Sequence, residues 1–155
     1  MNSFRVVAIP TEVAQYVRAR GKSPVYGFPA HKEIATGRAP CRHCLELIRE
    51  QKEELLLFTY DPFREVGAPP LPGPVYVHSE ECPRHNEEEM FPASYQGRKL
   101  TFDAYDADGA LRKGVFVSGG GEEEIANRLF ADEAVHYIHV RSTEAGCFLF
   151  RLQRI

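Results

Sequence analysis

The chain has 155 residues, 43% of them hydrophobic and 26% charged, with a formal charge of −3. A domain of this length buries roughly 70% of the surface its unfolded chain exposes, so neither disulfides nor a metal is needed merely to keep it folded. The acidic balance argues against nucleic acid as a partner, which calls for a basic excess. The longest apolar stretch, "LLLF" at 55–58, is far short of the ~20 residues of a membrane-spanning helix, so no membrane is expected either.

"FRVVAI" (4–9) predicts a first strand, rich in β-branched residues and ended by Pro10. No basic segment followed by a long apolar run is visible there, so a secretory signal is not expected. The expected compartment is the cytoplasm, where four cysteines serve as thiols, metal ligands or core residues rather than disulfides. Thr11 is placed as the N-cap of a helix with Val13, Ala14, Tyr16 and Val17 on its apolar face, closed by Gly21. The basic run "RARGK" (18–22) falls at the end of that helix, where positive charge complements the dipole. Residues 21–40, punctuated by glycine and proline, read mostly as loop.

Pro40 followed by "CRHCLELIREQKEE", with Leu45 and Ile48 at helical spacing, predicts a short helix. "ELLLFTY" (54–60) is apolar on both faces, the pattern of a strand buried on both sides. A Pro/Gly loop (61–74) leads to "VYVHS" (75–79), an alternating strand, and then to an irregular stretch over 80–97. "RKLTFDAY" (98–105) and "ALRKGVFVSG" (110–119) flank "DADG" as a hairpin. "GEEEIANRLFA" (121–131) predicts a helix with three glutamates in its first turn, and "VHYIHVRS" (135–142) and "CFLFRLQRI" (147–155) predict an antiparallel pair joined at "TEAG". The expected fold is α+β: a single domain over residues 1–155, with a mainly antiparallel mixed sheet of about six or seven strands and about three short helices.

Four cysteines and six histidines carry the chemistry. Cys41-x-x-Cys44 and Cys82-x-x-His85 have the spacing of paired zinc ligands, and together they would supply a Cys3His set of soft donors. Neither half has the glycine that commonly lets a ligand-bearing turn expose its amides, and the two halves are distant in sequence. The bland alternative is that Cys41 or Cys44 packs as a small apolar side chain. A third reading is a thiol oxidoreductase, with Cys41-x-x-Cys44 opening a helix whose dipole, with Arg42 and His43 nearby, stabilises a thiolate. Cys147, opening the last strand, reads as core, and His136 as a satisfied histidine at the core edge.

Strand alternation suggests another grouping. Tyr137, His139 and Arg141 share one face of their strand, and Tyr76 and His78 share one face of theirs. If the two strands were neighbours, their polar faces would offer imidazoles, a guanidinium and phenols to a small anion. The alternative is a sheet face whose polar residues only meet water. Other signals fail: "SGGGEEE" lacks the lysine of a phosphate loop, "DADG" lacks the twelfth-position glutamate of a calcium loop, and no serine sits in G-x-S-x-G. The acidic run at 87–89 near His85 reads as a solvated face.

"PCRHCL", "GPVYVHSEEC" and "HVRSTEAGCF", in this order, make the chain resemble a family of small bacterial proteins of about this length, a domain of unknown function. The resemblance implies no activity, cofactor or substrate; it marks Cys41, Arg42, Cys44, His78, Cys82, Arg141 and Cys147 as motif positions. It departs at Ser142, where asparagine would follow the arginine. Three functional expectations follow. The first is a small-ligand pocket of anion type, or an uncharacterised enzyme, using Arg42, His78, His139, Arg141, Cys82 and Cys147. The second is a zinc module using Cys41, Cys44, Cys82 and His85, with His78, four residues before Cys82, competing with His85 as the histidine that faces the sulfurs, and the third is the thiol oxidoreductase.

Overall fold

A computed structural model describes residues 3–88 and 90–155. In chain order these form β1 (Phe4–Val7), α1 (Thr11–Arg20), β2 (His31–Ile34), β3 (Ala39–Pro40), β4 (Leu47–Ile48), β5 (Glu54–Tyr60), β6 (Gly73–His78), β7 (Leu100–Tyr105), β8 (Leu111–Val117), α2 (Glu122–Phe130), β9 (Tyr137–Ser142) and β10 (Phe148–Arg154), with 3-10 turns at Arg64–Val66 and Ala93–Tyr95. The strands pair antiparallel in three sheets, ordered β1-β10-β9-β7-β8, β2-β5-β6 and β3-β4. The α+β class and the antiparallel pairing stand. One sheet of six or seven strands does not: the largest has five, and the described residues hold two α-helices rather than three.

Two cores follow from this division. The large sheet buries Phe102, Ile138, Val140, Phe150 and Leu152 with Ala126, Leu129 and Phe130 of α2. The small sheet buries Leu55, Leu56, Phe58, Val75 and Val77 against Val13 and Val17 of α1, and Cys41, Cys44 and Ile48 belong to the same cluster. Each large apolar side chain buried this way contributes roughly 1.5–3 kcal/mol.

Local chemistry sets the element ends. Gly21 closes α1 at φ 63, donating its N–H to Val17 O. Thr11 is the first helical residue rather than the cap, a position held by Pro10 in extended backbone; its hydroxyl is used elsewhere. The glutamates of α2 tie down the irregular stretch before β7: Glu122 accepts Gly97 N–H at 2.5 Å and Glu123 accepts Phe91 N–H at 3.1 Å, while Glu124 pairs with Arg128 at 3.0 Å.

Two sequence expectations give way. Within residues 21–40, β2 forms on the edge of the small sheet with all four residues exposed, so no alternation could announce it. The helix expected after Pro40 is the β3–β4 hairpin, because Leu45 turns the chain at φ 60, a left-handed conformation no α-helix accommodates.

Candidate metal centre

The hairpin begins with one short ladder of two pairs, Ala39 against Ile48 and Pro40 against Leu47. Beyond it, in the turn, Cys41 N–H donates to Glu46 O at 2.9 Å and Leu45 N–H to Cys41 O at 3.0 Å. Leu45 occupies the left-handed position that glycine fills at least cost; its side chain is 1% exposed, and that burial offsets the strain. The absent glycine therefore does not count against a ligand-bearing turn here. The hairpin docks on β6, where Cys41 bridges Tyr76 in parallel and Arg42 N–H donates to Tyr76 O at 2.9 Å. This docking carries both cysteines to His78, the last residue of β6, and to Cys82 in the loop beyond it.

The ligand atoms of Cys41, Cys44, His78 and Cys82 all lie within 4.8 Å of one another, and the group could hold a metal ion. Cys41 Sγ and Cys82 Sγ are 3.8 Å apart, and Cys44 Sγ is 3.5 Å from His78 Nδ1. None of the four cysteines is in a disulfide. Cys41, Cys44 and His78 are buried and Cys82 is half-buried.

A second ring of polar groups orients these four. His78 N–H points at Cys41 Sγ at 3.4 Å, and the other ring nitrogen of His78, Nε2, meets Glu53 Oε1 at 3.4 Å. Glu53 is itself held by Arg49 N–H at 2.9 Å. Cys82 Sγ accepts from Arg18 Nη2 at 3.2 Å and lies 3.2 Å from His43 Nδ1. With Cys82 a thiolate, His43 donates from Nδ1 and its Nε2, 2.9 Å from Thr11 Oγ1, accepts the hydroxyl proton. Arg18 Nε also donates to His78 O at 3.0 Å, so the basic end of α1 serves the cluster as well as the dipole.

These contacts separate Cys44, His78 and Cys82 in acidity. Hydrogen bonds from Cys41 and then Cys44 pull Cys82 far below an ordinary thiol, with His43 and His78 adding to them against the cost of burial. Cys44 is pushed far up, first by its hydrogen bond to Cys41. His78 is pushed up to about 10 by the sulfurs of Cys41 and Cys82. A thiolate favoured at Cys82, with two further sulfurs and an imidazole around it, is an environment that suits a soft divalent cation.

Three of the four ligands expected from spacing come together: Cys41, Cys44 and Cys82. The histidine beside them is His78. His85 lies outside the group; its N–H donates to His43 O at 2.9 Å and its side chain lines a neighbouring cavity. The helix required for the oxidoreductase reading is a hairpin, so no helix dipole acts on Cys41 or Cys44. Of the acidic run at 87–89, Glu87 meets Arg5 and Arg84, and Glu89 lies outside the described residues.

β6 and β9 belong to different sheets, and the polar residues of the expected surface are divided among three places. His78 and Cys82 stand in the cysteine cluster. His139 and Arg141 line a cavity of about 440 Å³ over the large sheet, which Cys147 also reaches. Arg141 Nε donates to Asp103 Oδ2 at 2.6 Å. The His139 ring is caged by Phe63, Phe148, Tyr137 and Tyr105 at 4.6–5.3 Å. Burial, then Arg151 and Arg141, hold His139 neutral with its pKa lowered to about 3. Cys147 is half-buried rather than core, and His136 is exposed. Arg42 faces a third place, a cleft it shares with Cys147.

Glu53, Arg18, His43 and Thr11 escaped the sequence reading. Arg18 and Thr11 reach the cluster from α1, far away in sequence, and Glu53 from the start of β5; His43 sits between Cys41 and Cys44, and spacing placed it beside those thiols rather than on Cys82. No helix among the described residues is long and apolar enough to cross a membrane. Residues 38–154 match a family described as a protein of unknown function (DUF1203). No curated protein and no solved structure matches the chain.

Proposed function

The chain belongs to this family, whose description assigns no function, and on the geometry of its own site we propose that Cys41, Cys44, His78 and Cys82 hold one structural zinc ion. The observation that carries the reading is the spacing of the ligand atoms. A tetrahedral zinc with Zn–S of about 2.3 Å and Zn–N of about 2.0–2.1 Å sets two sulfurs about 3.8 Å apart, and a sulfur and a nitrogen about 3.5 Å apart. The corresponding separations here are 3.8 Å for Cys41–Cys82 and 3.5 Å for Cys44–His78.

Four protein ligands leave no position open for water or substrate, which favours a structural over a catalytic ion. Glu53, on Nε2, fixes the ring so that Nδ1 faces the metal, the usual carboxylate–histidine arrangement. Three thiolates and a neutral imidazole around a divalent cation leave one net negative charge, and Arg18 on Cys82 opposes it. A reducing cytoplasm keeps such thiolates available. Metal analysis of protein purified without chelators tests the reading. One equivalent of zinc is expected, exchangeable for cobalt with thiolate-to-cobalt charge-transfer absorption; less than about a tenth of an equivalent sinks it.

A second reading, a small-ligand pocket, draws on the cavity at His139 and Arg141. There the buried Nε2 of His139 has no hydrogen-bond partner, and a ligand acceptor or donor would supply one. Titration with acetate and with phosphate, followed by the His139 ring resonances, tests it; resonances unmoved by either anion would remove the reading.

A further inference from the structure

Arg42 sits between two of the cysteines in sequence, yet its side chain lines a separate cleft of about 550 Å³. The residue is 3% exposed. Its guanidinium is fixed by neutral acceptors, with Nε donating to Phe148 O at 2.8 Å and Nη1 to Pro40 O at 2.7 Å, and it stands 5.6 Å over the Tyr76 ring. Nη2 has no acceptor among the described residues. A buried cation without an anionic partner is costly, and burial lowers the pKa of Arg42 accordingly. Tyr95 lines the same cleft; it is 2% exposed and its buried hydroxyl has no hydrogen-bond partner. Buried polar groups are almost always paired, so each exception calls for a reason.

The rim adds further positive charge. Arg38, Arg98 and Lys99 are exposed at the mouth of the cleft. Arg38 donates to the neutral Ser94 O at 2.6 Å. Among the described residues no carboxylate lies within ion-pair distance of Arg38, Arg42 or Arg98; Lys99 alone has one, Glu144 at 3.8 Å. Three guanidiniums and an ammonium therefore face one carboxylate.

We propose that this cleft binds a small phosphorylated organic molecule by its phosphate group. The donors come from different directions: Arg42 from the hairpin, Tyr95 from the 3-10 turn, Arg98 and Lys99 from the segment entering β7. A carboxylate offers two oxygens in one plane and one charge. A phosphate monoester offers three oxygens in a cone and close to two charges, which suits several convergent donors. Leu100 and Leu149 in the lining give the organic part an apolar wall. The assignment is independent of whether the cysteine cluster holds zinc.

Calorimetric titration of the full chain with phenyl phosphate tests the proposal, with inorganic phosphate as competitor and benzoate as the carboxylate control. Phenyl phosphate should bind with Kd below about 1 mM, compete with inorganic phosphate, and exceed benzoate by at least about tenfold. Tyr95→Phe and Arg98→Gln should each weaken it about tenfold without lowering the unfolding temperature, because the hydroxyl bonds nothing in the free protein and Arg98 is exposed. Absence of phenyl phosphate binding at about 10 mM, equal binding of benzoate, or unchanged binding in both variants would overturn the proposal.

Discussion

Stripping the metal from the cysteine cluster should leave a folded but measurably weaker protein. A zinc ion held there would link Cys44 to His78, 34 residues apart, and Cys41 to Cys82, 41 residues apart. Cross-linking a loop of that length removes unfolded-chain entropy worth about 4 kcal/mol at 25 °C on the chain-entropy account. In a chain of this size each kcal/mol moves the midpoint by about 2–4 °C, so the loss should lower Tm by about 10 °C. The core between the large sheet and α2 contains none of the four ligands, and a chain of this length does not depend on a metal to fold. Scanning calorimetry before and after chelation, with the chelator dialysed away, provides the assay. Tm should recover with one equivalent of zinc and not with magnesium, which prefers oxygen ligands. If zinc leaves and Tm does not move, the ion is no cross-link and the reasoning is wrong, whatever the stoichiometry.

Three further outcomes can be checked. Glu53→Gln should weaken zinc binding by about 10- to 100-fold in chelator competition; an unchanged affinity would mean that Glu53 does not orient His78. His139, with its pKa lowered to about 3, stays neutral in the folded state while the unfolded imidazole takes up a proton near 6.5. Its contribution is therefore intact above about pH 6.5 and lost as pH falls, by about 2 kcal/mol between pH 7 and pH 5. Urea titrations of wild type and His139→Phe isolate that slope, and equal slopes would contradict a buried neutral imidazole. Gly109→Ala would place a Cβ 2.5 Å from Ala68 Cβ at φ 81, so a loss of about 2 kcal/mol is expected; a variant as stable as wild type would show that Ala68 does not pack against that turn.

Elements whose signal is local were legible in the sequence. α1, β5, β6, the β7–β8 hairpin, α2 and the β9–β10 pair all lie where periodicity and turn residues put them. The cysteine hairpin was not. Leu45 and Ile48 have helical spacing, and only tertiary burial makes a left-handed leucine affordable. Spacing found Cys41, Cys44 and Cys82 and pointed to His85, with His78 only a competitor, whereas the cluster contains His78. Cys82-x-x-His85 looks like a unit, whereas the docking of Cys41 on Tyr76 selects His78, two residues further along β6. That docking is a contact between strands with no counterpart in local pattern. The division into separate sheets was hidden for the same reason: strand alternation tells which residues share a face, but not which strands are neighbours.

The position of β10 has a consequence for the order in which the molecule assembles. It lies between β1 and β9 in the large sheet, although it is made last of the three. Ribosomes deliver about 5–20 residues per second, so β2, β5, β6, the cysteine hairpin and Cys82 are all available seconds before Phe148–Arg154 emerge. α1, which carries Arg18, is available earlier still. The small sheet and its thiols can close from contacts within the first 82 residues, while β1 and β9 wait with unpaired backbone edges. Until the final strand is delivered, those open edges are where a nascent chain is most exposed to pairing with another copy.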